Sequence, residues 1–153
     1  MSKKSAGLLL YRVRDHSLQF FLVHPGGPYW KNKDLGAWSI PKGEFTEEED
    51  PLTAAKREFE EETELKAPGK FLALTPLKQK SGKLIVAWAA HANVDPGHIH
   101  SNTFELEWPP HSGKKQVFPE IDKAGWFDIN TAKEKIISGQ FPFIEELIRL
   151  LSK

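Results

Sequence analysis

One short segment of this chain carries a dense excess of negative charge, and it restricts what the chain can fold into. Residues 44–64 contain ten acidic and only two basic side chains, so the segment carries a charge of −8. The rest of the chain carries +8, which makes the whole neutral. Acidic side chains at this density repel one another and destabilise a fold. The segment therefore indicates either a helix face exposed to solvent or a site that binds a cation.

The second half of this segment has the signals of a helix from Pro51 to about Thr63. Asp50 is a favoured N-cap residue, and proline suits the first helical position because its missing N–H would be unpaired there. At about 100° per residue, three apolar side chains share the buried face: Leu52, Ala55 and Phe59. We expect four polar side chains on the solvent side: Thr53, Lys56, Glu60 and Thr63.

Three glutamates of this helix fall between the two faces, at spacings that place them side by side. Glu58, Glu61 and Glu62 are related as i, i+3 and i+4, which puts such side chains about 5–6 Å apart. A carboxylate cluster suits a hard divalent cation such as Mg²⁺. Arg57 is next to Glu61 around the helix and can reach back to Glu49, which would orient the cluster.

These residues resemble the Nudix box, G-x5-E-x7-R-E-U-x-E-E-x-G-U, where U is aliphatic or aromatic. The motif spans 23 residues from Gly43 to Leu65, and eight of its nine defining positions agree. Glu64 stands where the motif has its late glycine. That glycine would adopt a positive φ after the helix, so Glu64 either takes a conformation that costs about 1 kcal/mol or lets the helix continue to Ala67-Pro68-Gly69.

The resemblance implies an α+β fold, an α/β/α sandwich with a mixed sheet, in one domain over residues 1–153. It implies a divalent-metal-dependent pyrophosphohydrolase, with Mg²⁺ as the expected ion and Mn²⁺ as a substitute. The metal ligands it implies are Glu58, Glu61, Glu62 and the Gly43 carbonyl. Arg57 and Glu49 would support them as a pair.

The general base would be a glutamate of the cluster or an acidic residue from a loop outside it. Glu120 is the outside candidate, because it lies just before the predicted Gly125-Trp126-Phe127 strand. Glu105 and Glu107 are weaker candidates, since their spacing of two suits outward residues of a strand.

Substrate contacts are expected beside the box and in loops rich in aromatic residues. Lys42 precedes Gly43 and can meet phosphate oxygens as a point charge. The Trp38–Gly43 run resembles the dinucleoside polyphosphate branch of the family. Six residues in or near loops are candidates for stacking on a base: Tyr29, Trp30, Phe104, Trp108, His111 and Phe118. We expect Trp38, Trp88 and Trp126 in the core.

The remaining pattern predicts a mixed α and β chain. Strands are expected at Ser5–Arg12, Gln19–His24, Phe71–Lys80, Leu84–Asn93 and Phe104–Trp108, and further helices at Thr131–Ile137 and Pro142–Leu151. Asp95–Asn102 is expected to be a loop. The basic Met1–Lys4 and the short apolar stretch after it indicate a first strand rather than a signal peptide. No apolar run approaches a membrane span, so we expect a cytoplasmic protein that does not associate with membranes.

Three functional hypotheses follow. The first is hydrolysis of a dinucleoside polyphosphate or, as its alternative, of a nucleoside triphosphate in the manner of MutT; sugar nucleotides, ADP-ribose and capped RNA stay open. The second is a non-catalytic nucleotide-sensing module of the same fold. The third, a nucleic-acid binder, ranks last because the basic residues are scattered. The absence of cysteine excludes disulfides, thiolate zinc sites and a cysteine nucleophile.

Overall fold

A mixed seven-stranded sheet runs through the centre of the computed structural model, which describes residues 4–67 and 69–152. Its strands are β1 (Lys4–Arg14), β2 (Ser17–Pro25), β3 (Lys42–Glu44), β4 (Leu72–Ala73), β5 (Leu77–Lys78), β6 (Leu84–His91) and, last in the chain, β9 (Ile121–Asp128). The strand order is β4-β6-β1-β2-β9, with β3 paired to β1 and β5 to β6. The β1–β6 pair is parallel and the others are antiparallel, which confirms the predicted mixed sheet.

A separate two-stranded hairpin, β7 (Thr103–Glu107) with β8 (Lys115–Pro119), extends from the sheet just before β9. The helices are α1 (Pro51–Thr63), α2 (Ile129–Lys135) and α3 (Phe141–Leu151), with short 3₁₀ helices at Pro96–His98 and Ser138–Gln140. No helix in the described part of the chain is long and apolar enough to cross a bilayer.

The alternation of side chains along β1 divides the interior into two cores. Leu8 and Leu10 point to the face covered by α1, where they meet Phe59. Leu9 points to the opposite face, where it packs with Phe143 and the rest of the α2–α3 layer. Successive strand residues face opposite sides, so one strand serves both layers. The arrangement is the predicted α/β/α sandwich.

Helix α1 begins and ends at the predicted residues. The Asp50 side chain accepts from the Thr53 backbone N–H at 3.0 Å, and Pro51 takes the first helical position. The prediction for Thr63 was wrong: it is buried, and its hydroxyl donates to the Phe59 carbonyl at 2.7 Å. Glu64 ends the helix with φ 58°, so the alternative of a longer helix was also wrong. Pro68 and Met1–Lys3 lie outside the described residues.

Two strand predictions need correction. The stretch Phe71–Lys80 is not one strand, because only β4 and β5 pair within it, at separate places on the edge of β6. Strand β8 was missed, since its sequence Lys115-Gln116-Val117-Phe118-Pro119 holds only two large apolar residues and pairs with β7 rather than entering the core. The β1–β2 connection is a two-residue turn, with positive φ at both Asp15 and His16.

Candidate metal and nucleotide site

The three predicted glutamates of helix α1 differ in how far their side chains are exposed to solvent. The Glu61 side chain is 51% exposed, Glu58 only 18%, and Glu62 is more buried than exposed. Arg57 bridges this group to the loop before the helix, because its Nε and Nη2 donate to Glu49 at 3.0 and 3.1 Å. Its other nitrogen, Nη1, lies 3.3 Å from Glu58 Oε1 and 3.6 Å from Glu61 Oε1. The two-point contact holds the guanidinium beside the carboxylates.

Gly43 lies directly under the Glu58 carboxylate. A Cβ added at Gly43 would be 2.4 Å from Glu58 Cδ and 2.5 Å from Oε1, so any side chain there would push the Glu58 carboxylate out of this position. Strand β3 brings Gly43 to this place through its pairing with Ala6 in β1. The glycine that opens the motif is therefore explained by close packing of a carboxylate against the backbone.

Burial and mutual repulsion both oppose ionisation of the carboxylates. Burial, as the largest cause, and the negative charges of Glu58, Glu120 and Glu61 together raise the pKa of Glu62 to about 8. The pKa of Glu58 is also raised, mainly by burial, although the adjacent Arg57 opposes the shift. Groups crowded in this way favour either a proton or a cation between them.

One cavity of about 220 Å³ brings four of the predicted residues together. Lys42, Glu62, Glu120 and Trp30 all line it, beside apolar side chains that include Ile40 and Ile121. Burial lowers the pKa of Lys42, nearby Lys83 adds to that shift, and Glu44 opposes it. A surface depression of about 580 Å³ near Tyr11 and Leu151 is larger, but no acidic residue is among its described lining.

Glu120 reaches this cavity from the turn between β8 and β9. Its backbone N–H donates to the Asn102 carbonyl at 2.8 Å, and its carbonyl accepts from Gly26 at 2.9 Å. Glu105 and Glu107 are exposed on β7 and do not line the cavity, as their spacing predicted.

The remaining aromatic candidates lie in the β7–β8 hairpin and in the loop after β2. The Tyr29 and Trp108 rings meet edge to face at 5.2 Å between centroids, and Phe118 lies 6.0 Å from Phe104. None of these four rings lines the cavity itself. Trp38 is buried as expected, whereas Trp88 and Trp126 are only partly buried against the α1-side core.

The oxygen donors suit a hard divalent cation, but their side chains do not converge. Within residues 4–67 and 69–152, no three histidine, aspartate or glutamate side chains lie so that they could hold one metal ion. Glu58 and Glu61 each face the Arg57 guanidinium instead. The chemistry and the charge crowding of the cluster fit a metal ion, and its side chains would have to turn toward one.

Sequence reasoning missed one polar residue at this end of the sheet, His24. It is fully buried at the end of β2, next to two residues of the cavity lining, Val23 and Pro25. A lone histidine in an apolar strand carries no motif, so its partners were not accessible from the sequence.

A scan against protein-family models matches the NUDIX domain over residues 1–147. The chain therefore belongs to the NUDIX domain family. This membership supports the predicted enzyme class, a Nudix pyrophosphohydrolase, and Nudix hydrolases use divalent metal ions. No curated protein sequence matches the chain significantly.

Solved structures support the same fold. A binary complex of Caenorhabditis elegans Ap4A hydrolase is 21% identical, covers 97% of this chain and 98% of its own, and has a TM-score of 0.63. The NUDIX domain of Shewanella oneidensis NrtR, in complex with ADP ribose, is 15% identical, covers 98% and 89%, and also reaches 0.63. A structure from work on MutT of Aliivibrio salmonicida and Vibrio cholerae is 17% identical, covers 96% of each chain, and reaches 0.55.

Proposed function

We propose that this chain is a divalent-metal-dependent hydrolase that cleaves a pyrophosphate linkage, with a dinucleoside polyphosphate as its preferred substrate. The observation that carries the proposal is the cavity shared by Lys42, Glu62, Glu120 and Trp30. The Lys42 ammonium group can contact the phosphate chain, and the Trp30 indole ring can stack on the base. The Glu62 and Glu120 carboxylates can take part in cleavage of the anhydride bond.

Glu58, Glu61 and Glu62, with the Gly43 carbonyl, would hold Mg²⁺ or, in its place, Mn²⁺. When bound, such an ion neutralises phosphate charge and makes a bound water more acidic. The raised pKa of Glu62 supports this assignment, because burial and the neighbouring carboxylates oppose its ionisation and a cation would favour it. Glu49 holds Arg57 by two hydrogen bonds, and Arg57 in turn orients Glu58 and Glu61.

Glu120 is the acid we propose as general base. It lines the cavity together with Glu62, and its charge contributes to the raised pKa of both Glu58 and Glu62. A carboxylate at this place can accept a proton from a water that attacks the phosphate chain.

Lys42 would contact phosphate oxygens, because its partly buried side chain lines the cavity. Trp30 is the proposed stacking partner for the base. Tyr29, Trp108 and Phe118 lie outside the cavity lining, and we propose that they extend this aromatic surface for the second nucleoside of a longer substrate.

The choice of a dinucleoside polyphosphate is supported by the Trp38–Gly43 run and by the similarity to the Ap4A hydrolase structure. Hydrolysis of nucleoside triphosphates is the second candidate, because a MutT structure shares the fold.

We also propose that the enzyme acts in the cytoplasm, which cell fractionation would test.

A substrate panel tests the proposal. The protein is incubated with Mg²⁺, and in parallel with a chelator, on a tetraphosphate-bridged dinucleotide, nucleoside triphosphates, a sugar nucleotide, ADP-ribose and capped RNA. We expect metal-dependent release of ATP from the dinucleotide. Release of inorganic pyrophosphate from a triphosphate would favour the second candidate. Absence of turnover on every substrate would contradict the proposal and favour a nucleotide-sensing module.

A further inference from the structure

A fully buried histidine joins two parts of the cavity wall. Both nitrogens of the His24 ring are engaged: Nδ1 lies 2.7 Å from Asp122 Oδ1, and Nε2 lies 2.6 Å from the Lys33 carbonyl oxygen. The ring also meets Trp38 edge to face, at 5.2 Å between centroids. A buried polar ring with partners at both ends has one orientation available to it.

Each partner of His24 is close to a residue of the cavity. Lys33 contacts Trp30 twice, since its backbone N–H donates to the Trp30 carbonyl at 3.0 Å and its Nζ lies 5.2 Å from the centre of the Trp30 ring. Asp122 follows Glu120 by two residues, in the same turn and strand.

We propose that His24 is a positioning residue: by binding the Lys33 carbonyl it holds Trp30 on the cavity wall and so determines how tightly the nucleoside is bound. The inference rests on the function proposed above, in which Trp30 stacks on the base. A carbonyl oxygen only accepts hydrogen bonds, so Nε2 must donate in this contact. The same loop is also anchored at other places. Asp34 accepts from Trp38 Nε1 at 2.8 Å and from Lys135 Nζ at 2.6 Å, and the Tyr29 ring meets Trp108, but within the described residues the contact with His24 is the one at the Lys33 carbonyl itself.

Two substitutions separate the two ends of the ring. An asparagine amide at position 24 reaches about as far as Nδ1, whereas a glutamine amide reaches about as far as Nε2. His24→Gln therefore keeps a donor for the Lys33 carbonyl, and His24→Asn does not. We expect KM for the dinucleotide to rise about tenfold or more in His24→Asn and less than about threefold in His24→Gln, which corresponds to the loss of one buried hydrogen bond. The value of kcat should stay within about threefold in both, since the acids of the cavity are untouched.

The wild type and the exposed control His98→Gln are measured in parallel, and all four proteins are titrated with ADP in the presence of Mg²⁺. ADP binding that is weaker in His24→Asn, but not in His24→Gln or His98→Gln, would support the inference. Unchanged KM and ADP affinity in both variants, or an equal loss in both, would overturn it. A wild type without turnover contradicts the proposed function, and the ADP titration then still decides the role of His24.

Two further variants keep the test decisive if a change at the buried position prevents folding. Asp122 is about one-third exposed, so Asp122→Ala should fold, lose the orientation of the His24 ring and raise KM. Unchanged KM in that variant would contradict the inference. In a Trp30→Ala background, Asp122→Ala should add no further increase in KM. Asp122 is proposed to act on nucleoside binding through His24 and the Trp30 ring, and that background lacks the Trp30 ring. Additive effects would show that Asp122 and His24 act elsewhere.

Discussion

The helices on the two faces of the sheet are of similar length but are built for different tasks. Helix α1 buries only Ala54, Ala55, Phe59 and Thr63, and beside this buried face the same helix carries the acidic cluster. Helix α3 buries Phe143, Ile144 and Leu147 completely and carries no residue of the cavity lining. The comparison teaches that one layer of the sandwich stabilises the fold, while the other keeps mutually repelling charges in place at some cost to stability.

Leu147→Ala is the largest expected effect and tests the stabilising layer. Leu147 is fully buried, so truncation should lower the free energy of unfolding by about 3 kcal/mol, through lost burial and a residual cavity. Chemical denaturation measures this, with the partly exposed Leu151→Ala on the same helix as control. Activity per folded molecule should not change. A loss of turnover without a loss of stability would contradict the division between the two layers.

Glu62→Gln tests the charged layer. Removing this carboxylate should lower kcat at least about a hundredfold, because the proposed metal site loses a ligand charge. The fold should stay intact, as judged by circular dichroism. As the control, Glu47→Gln removes a carboxylate charge from an exposed loop position and should leave kcat unchanged. Near-normal turnover in Glu62→Gln would rule out the role assigned to it.

The pH dependence of stability should differ between the wild type and Glu62→Gln when both are free of metal. The pKa of Glu62 is about 8 in the folded protein against 4.5 in the unfolded chain. The folded state therefore holds the proton more strongly, and stability should fall as pH rises from about 5 through 8, by about 3 kcal/mol. In Glu62→Gln this part of the decline should be absent. If the stabilities of the two proteins change with pH in the same way, Glu62 does not have the raised pKa given above.

Glu64→Gly is the smallest expected effect. Glu64 has φ 58°, a conformation that costs a non-glycine residue about 1 kcal/mol. Its side chain lies 3.4 Å from His100 Nε2, but both side chains are largely exposed, so this contact contributes little. The substitution should raise the melting temperature slightly or leave it unchanged. A marked decrease would mean that the contact with His100 outweighs the backbone strain.

The arrangement of the candidate site could be predicted from the sequence most fully on helix α1 and in the loop just before it. The spacing of Glu58, Glu61 and Glu62 places them side by side because a helix repeats every 3.6 residues, and the Asp50-Pro51 pair sets where that helix begins. The contact of Arg57 with Glu49 joins positions eight residues apart, close enough for the motif to suggest it. Strand β8 was missed because neighbouring β7, not burial in the core, stabilises it.

The sequence by itself therefore determined the family, the extent of α1, the mixed sheet and the acidic cluster, since each depends on local periodicity and a compact motif. Only the tertiary structure brought Lys42, Trp30 and Glu120 to one cavity with Glu62. It alone also paired His24 with Asp122, ninety-eight residues further on. Contacts of this kind depend on which strands become neighbours and in what register, and no spacing along the chain records that choice.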